Sequence, residues 1–528
     1  MNEKRRITLT FALLLFVQFS GCIHNFGTGG TGELVVPRDQ LREIKPTNLV
    51  AVAVAPPTTQ EATTLPTTRP ATRPVAEIHV TIEDVRRYAL QNNLDLKVEL
   101  LNPTIARESL SEAEAQFESL FFADVSYNKS DSPTASKLDS SQSESISVTP
   151  GIRIPLRTGG VVTFSLPMSR FETNNEFSTL NPAYEADYNA SISQPLLRGA
   201  GFGVTANPIR VAFYQYQQSE ARTKLEVIRV LADADRIYWR LYAARRELEV
   251  RKAEYDLAVT QLERARRQVR AGTAADPEIV RAESGVADSL EAIINAENLV
   301  RDRQRDIKRI LNQPGLEMES DTIVVPATKP GALFYKLNPD QVVRVALRQR
   351  MEMLESELQI AQESSNIELA RNGMLPLVSL DYTYNVPGLG GTLNEAFGMA
   401  GNHDFDSHRV GLHVEVPIGN EAAKARLRRS LLSRVQALAT KEQRIAQITQ
   451  EVLNALDQLE ANWQRIIASR KRVIYAQRVL DVETRQFGLG LRTSTDVLDA
   501  QTKLANAQSS EISAITDYQI AQVDIAFA

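Results

Sequence analysis

The sequence has 528 residues, of which only one is cysteine and five are histidine, and it holds no run of 18 apolar residues. One cysteine excludes an internal disulfide. The missing apolar run excludes a helical membrane span. No Walker loop, GxSxG or HExxH occurs, so no enzyme and no cofactor are expected. His403, His408 and His413 have two readings, metal handling or plain loop and strand positions. Their spacing of five suits no common chelating motif, and no metal site is expected. The formal net charge is only -5, and no nucleic-acid partner is expected.

Glycine and proline are missing from two long stretches. Residues 421–487 contain neither, and apolar side chains recur every seventh residue: Leu431, Leu438, Ile445, Val452, Leu459, Ile466, Val473, Leu480 and Phe487. That is a coiled-coil seam. As a helix the stretch is a rod of roughly 100 Å at about 1.5 Å per residue, far beyond the needs of a compact core. Residues 209–271 form its twin, with Leu241, Leu248, Tyr255, Leu262 and Val269 at the same step. Each rod ends in a short turn, Gly272-Thr273 or Gly488-Leu489-Gly490-Leu491, and a second amphipathic helix follows. Two long antiparallel helical hairpins are predicted.

The amino terminus reads as a targeting segment. Lys4, Arg5 and Arg6 precede a mostly apolar stretch, 7–19, too short to span a bilayer, and Ser20-Gly21-Cys22 follows. This is the layout of a cleaved signal, residues 1–21. Phe19-Ser20-Gly21-Cys22 resembles a bacterial lipobox, which makes Cys22 the expected lipidation site; the other reading is ordinary signal cleavage nearby. Residues 22–80, rich in Thr and Pro, read as a disordered tether behind that anchor.

From residue 81 the chain is duplicated. At an offset of 257, Val85 matches Val342, Arg87 matches Arg344, and Asp124, Tyr127 and Asn128 match Asp381, Tyr384 and Asn385. Further on, Gly272 matches Gly490 and Glu278 matches Asp496 at an offset of 218, so the first unit carries 39 additional residues. The first unit is read as 81–313, with helices at 83–92 and 94–116, strands at about 119–196 and a helical hairpin at 209–312. A linker with a small mixed belt spans 314–338. The second unit is read as 339–528, with strands at about 376–417 and a hairpin at 421–526. The strands alternate: Val410, Leu412 and Val414 oppose Arg409, Gly411 and His413, and an additional hairpin at about 144–170 sets Ile146, Val148 and Ile152 against Ser145, Ser147 and Thr149. Such strands fit a transmembrane barrel with a wet interior or a soluble sandwich. The barrel is preferred, because so few strands between long rods make no sandwich core, whereas strands from several copies close a cylinder without edges.

With these features in hand, the chain resembles the TolC-like outer membrane efflux protein family over about residues 81–527. The sharpest match is Gly490-Leu491-Arg492-Thr493-Ser494-Thr495-Asp496-Val497-Leu498-Asp499-Ala500-Gln501, supported by Gln194-Pro195-Leu196-Leu197. The resemblance implies an α+β membrane protein. Its duplicated helix-strand-strand-helix units form a long coiled-coil α-barrel and a transmembrane β-barrel shared by a homotrimer, lying in the outer membrane and extending into the periplasm. It implies the exit duct of a tripartite efflux or type I secretion system, a passive gated conduit working with a periplasmic adaptor and an inner-membrane pump of RND or ABC type. Asp496 and Asp499 would ring the periplasmic aperture, and Arg492 would lock it with the acidic partner that aligns at Glu278. Phe487 stands where a Tyr would supply a hydroxyl. Gly272, Thr273, Gly488, Leu489, Gly490 and Leu491 would be the adaptor-docking tips. The family's usual four strands per chain become six here, and eighteen in a trimer, if the additional hairpin joins the wall. The competing reading is a non-pore envelope lipoprotein whose coiled coils act as a spacer.

Overall fold

The computed structural model describes residues 76–135 and 139–528. The signal segment, Cys22 and nearly all of the tether lie outside the described residues. Residues 77–80, read from sequence as the end of the tether, are instead strand β1 (Glu77–Val80). It pairs in parallel with β8 (Ile323–Pro326) of the linker, Ile78 opposite Val324. This ribbon makes the small mixed belt. Gln304 completes its edge, its side-chain amide donating to the Val324 carbonyl and accepting from the Val324 N–H at 2.7 and 2.9 Å.

Helices α1 (Ile82–Asn92), α2 (Leu94–Glu99) and α3 (Asn102–Glu114) follow β1. The run 94–116 is one helix by pattern but two in the structure. Pro103 has no N–H to bond back into the preceding turn, and it lies in the first turn of α3. The first rod is α4 (Asn207–Arg270), which returns as α5 (Pro277–Leu311). In the second unit come α6 (Pro339–Gln349), α7 (Met351–Asn372), α8 (Leu393–Asn402), the second rod α9 (Glu421–Gly488) and its return α10 (Ser494–Phe527). Each rod packs along its own return helix, and α10 also packs on α4.

The main core sits where the belt meets α1, α4 and α5. Val80, Val85, Ala89, Tyr238, Leu241, Ile307, Leu311 and Val324 are buried there together. Tyr238 is held by its hydroxyl, which accepts from the Thr328 N–H at 2.8 Å. Farther along the second hairpin, Leu480, Phe487, Val497, Ala500 and Leu504 form a smaller core near the tip. The heptad seam is closed from Val452 to Phe487. At the other end of α9, Leu431 and Leu438 remain 41% exposed.

The remaining strands form one antiparallel sheet: β2 (Leu120–Asp131), β3 (Gln142–Pro155), β4 (Val161–Ser165), β5 (Met168–Thr173), β6 (Ala183–Ala186), β7 (Tyr188–Pro195), β9 (Leu377–Val386), β10 (Leu389–Gly390) and β11 (Ser407–Glu415). Strand β3 takes β2 on one edge and both β4 and β5 on the other. Strand β4 then pairs with β7, β5 with β6, β7 with β9, β6 with β10, and β9 with β11. The breaks between β4 and β5 and between β6 and β7 are short, and backbone bonds from Leu166 to Pro150 and from Asp187 to Pro167 bridge them. The sheet is therefore six ribs laid side by side, with β2 and β11 as its two edges.

The registers sort the side chains by face. One face carries the row Phe121, Ile152, Phe164, Ala190, Tyr384 and the row Val125, Val148, Met168, Ala186. The other carries Ser126, Ser147 and Ser169, with the Ser126 and Ser147 hydroxyls 2.7 Å apart, and Ser193 donating to Asp381 at 2.5 Å. Helix α8, unforeseen in the sequence, packs against β6 and β10. Gly388 makes room for it, since a Cβ there would lie 2.0 Å from the Ala396 carbonyl oxygen. Among the described residues no helix is long and apolar enough to cross a membrane.

Candidate functional site at the helical tips

The two tips are built alike from the backbone up. At the first, Gly272 has φ +74°, its N–H donates to the Val269 carbonyl at 2.9 Å, and the Thr273 N–H donates to Gln268 at 2.9 Å. At the second, Gly490 also has φ +74°, with the Gly490 N–H on Phe487 and the Leu491 N–H on Gln486, both at 3.0 Å. Each is a Schellman closure, which satisfies the last carbonyls of a helix and requires a residue at ease in the left-handed region. Gly488 is the last residue of α9, and Leu489 and Leu491 project from the second tip, 75% and 71% exposed.

The charged residues read from sequence are all engaged within the chain. Asp496 closes a capping box on α10: its carboxylate accepts from the Thr493 N–H at 2.9 Å and the Thr493 hydroxyl at 2.8 Å. The Thr493 backbone bond, then its hydroxyl, hold the Asp496 carboxyl below the usual carboxylate range. Asp499 accepts from Lys503 at 2.6 Å, one turn along α10. Arg492 turns back onto its own hairpin, Nε lying 2.9 Å from Gln486 and 3.1 Å from Glu483. Phe487 lies in the apolar core near the second tip, next to Leu480 and Val497.

Of the four charged residues read from sequence, Glu278 is the one that reaches the other hairpin. One carboxylate oxygen accepts from the Ser494 N–H at 2.9 Å, and the other from Arg281 at 2.6 Å. Gln261, buried on α4, donates to the Ser494 hydroxyl at 3.3 Å. Just behind, Leu498 of α10 fills the space a side chain would need at Gly285 of α5; a Cβ there would sit 2.8 Å from both Leu498 methyl carbons. Arg281, Gln261 and Gly285 are not marked by the sequence pattern, and Ser494 enters it only as part of the 490–501 match. Only Gly285 leaves a local signal, a glycine in the interior of a long helix. Among the described residues no group of three or more His, Cys, Asp or Glu is placed to hold a metal ion.

Twin helical hairpins with matched glycine tips, joined to a shared antiparallel sheet, define a class of duplicated α+β protein. Residues 342–528 match the outer membrane efflux protein family. The chain is similar to the outer membrane protein TolC of Vibrio cholerae, 24% identical over 285 residues, covering 53% of this chain and 63% of that protein. The alignment thus spans less than two thirds of that relative. Among solved structures, the fold resembles a membrane protein from Pseudomonas aeruginosa (TM-score 0.65, 18% identity, 84% of this chain and 92% of that one). It also resembles the outer-membrane channel OprN (TM-score 0.64, 15% identity, 84% and 89%). Over the matched parts of the chain, these likenesses agree with the resemblance to TolC-like outer membrane efflux proteins.

Proposed function

We propose that this protein is the outer membrane exit duct of a tripartite efflux or type I secretion system: three copies close a β-barrel in lipid and a helical tunnel below it. The reading draws on the surfaces one copy leaves uncovered. Helix α7 is packed between α4 and α9, whereas its counterpart in the first unit, α3, packs mainly on α4 among the described helices. Leu94, Val98, Leu101 and Ile105, at helical spacing along α2 and α3, stand out with Val98 67% exposed. Leu432 and Val435 stand out likewise on α9. Placing the α3 of one copy against the α9 of the next repeats the internal packing around a ring.

The sheet supports the same arrangement. Among the described strands none pairs with the outer sides of its edges, β2 and β11, and a sheet in lipid must close on itself. Its apolar and hydroxyl-rich faces suit lipid outside and water inside. A spacer without a pore needs no such sheet. In this arrangement the Gly272 and Gly490 turns face the periplasmic adaptor, and an inner-membrane pump supplies the energy. Lipid attachment at Cys22 would hold the assembly to the outer membrane.

Native mass measurement in detergent and planar-bilayer recording test the reading together. Three copies per particle with stepwise ion conductance are expected. A water-soluble monomer that never conducts overturns it.

A further inference from the structure

We infer that the hairpin of β3, β4 and β5 is wall rather than loop or plug, so that the proposed trimer closes on eighteen ribs and its outer mouth is set by six ribs per chain. This rests on the proposed trimeric channel and adds its bore. The hairpin is not appended to an edge. Strand β3 is paired along 142–153 with β2 on one side and with β4 and β5 on the other, and those two hand on to β7 and β6. Among the described strands no other joins β2 to the rest of the sheet. A plug or surface flap would leave β2 paired to β6 and β7 directly.

The side chains keep the alternation of the ribs beside them. Val148 and Ile152 continue the face of Val125 and Phe121, and Ser147 and Thr149 continue that of Ser126 and Asp124. Gly151 lies under the Phe122 ring, where a Cβ would be 2.4 Å from the ring edge. Arg153 stands 5.5 Å from the centre of the same ring. On the hydroxyl-rich face the hairpin contributes Ser145, Ser147, Thr149, Thr163, Ser165 and Ser169, and Arg153 is its one charge there. It thus adds circumference with little added field.

Barrel diameter grows about linearly with rib number. With ribs ~4.8 Å apart and tilted by ~40°, twelve ribs give a backbone diameter of roughly 24 Å and eighteen roughly 36 Å. The physical consequence is a mouth wide enough that the helical tunnel, rather than the barrel, limits the size of a hydrophilic solute.

The test removes residues 140–173, which returns β2 to an antiparallel position beside β6 and β7. Polyethylene glycols of graded size are added on the outer side, and current block is recorded in planar bilayers. The exclusion diameter is expected to fall by at least about one third, the fall in backbone diameter from eighteen ribs to twelve, with the reversal potential in a salt gradient unchanged. An unchanged exclusion diameter overturns the inference. A second arm leaves the barrel whole and decides the matter if the shortened chain does not assemble. A water-soluble thiol reagent should reduce the current of Ser147→Cys and leave that of Val148→Cys untouched; equal response at both positions overturns the inference. Absence of any current from the parent protein refutes the channel reading instead.

Discussion

Glu278 accepts a hydrogen bond from the backbone N–H of Ser494 at 2.9 Å, so a carboxylate of the first tip caps the helix that leaves the second. The two hairpins of one chain are tied at the end where a tunnel would have to open. Glu278→Ala removes that tie at a cost of about 1 kcal/mol, typical of a lost helix cap. The expected outcome is a higher resting current in planar bilayers from trimers of unchanged mass, with Glu278→Gln in between. An unaltered resting current would mean that this bond does not restrain the opening.

Asp496 and Asp499 lie three residues apart but should behave differently. The Asp496 carboxyl is lowered by its bonds from Thr493, so its contribution is complete above the ordinary carboxylate pKa of about 3.9 and fades as pH falls through the lower folded value. Limited proteolysis of the 488–493 turn should therefore accelerate on strong acidification. In Asp496→Ala the turn should already be cut faster at neutral pH. Asp499→Ala loses only an exposed pair with Lys503 and should leave cleavage unchanged. If both carboxylates gather around a threefold axis, the double variant should also lose block of the current by divalent cations.

Gly285 and Leu498 interlock without spare room. Gly285→Ala should drive α5 and α10 apart and lower stability by about 1–3 kcal/mol, as overpacking does. Leu498→Ala vacates the space, so the double variant should regain part of the loss. Thermal unfolding in detergent, run as a double-mutant cycle, reads the coupling. Additive effects would show that the two side chains do not meet in solution.

Val98 and Leu101 are exposed in one copy and are proposed to be covered in the trimer. Val98→Glu with Leu101→Glu should shift particle mass from three copies toward one, with helix content retained. Retention of trimers would place the contact between copies elsewhere.

Much of this architecture was legible because its signals are periodic. The stretch without Gly or Pro at 421–487 is a single helix, Glu421–Gly488, and Val452, Leu459, Ile466, Leu480 and Phe487 of its seam are buried. Leu431 and Leu438, at the same spacing, are not. There Ala437 and Ile448 turn inward, because a 3.6-residue helix drifts from a seven-residue repeat over many turns. Strand β1 is not legible in the sequence, because four residues carry too little pattern to separate from the Pro- and Thr-rich stretch before them. Helix α8 was missed for a similar reason: ten residues with two glycines, set between strands. The contact of Glu278 with Ser494 could not be read at all. It spans 216 residues and ends on a backbone N–H, which leaves no trace in side-chain identity.

The two edge strands of the sheet, β2 and β11, which no other described strand flanks on the outside, bear on the order of events in biogenesis. A lone copy dissolved in hydrocarbon would strand two rows of peptide groups without partners, each costing several kcal/mol. If the proposed trimer is the working form, its protomers must meet before or during entry into the bilayer, and partnership precedes residence.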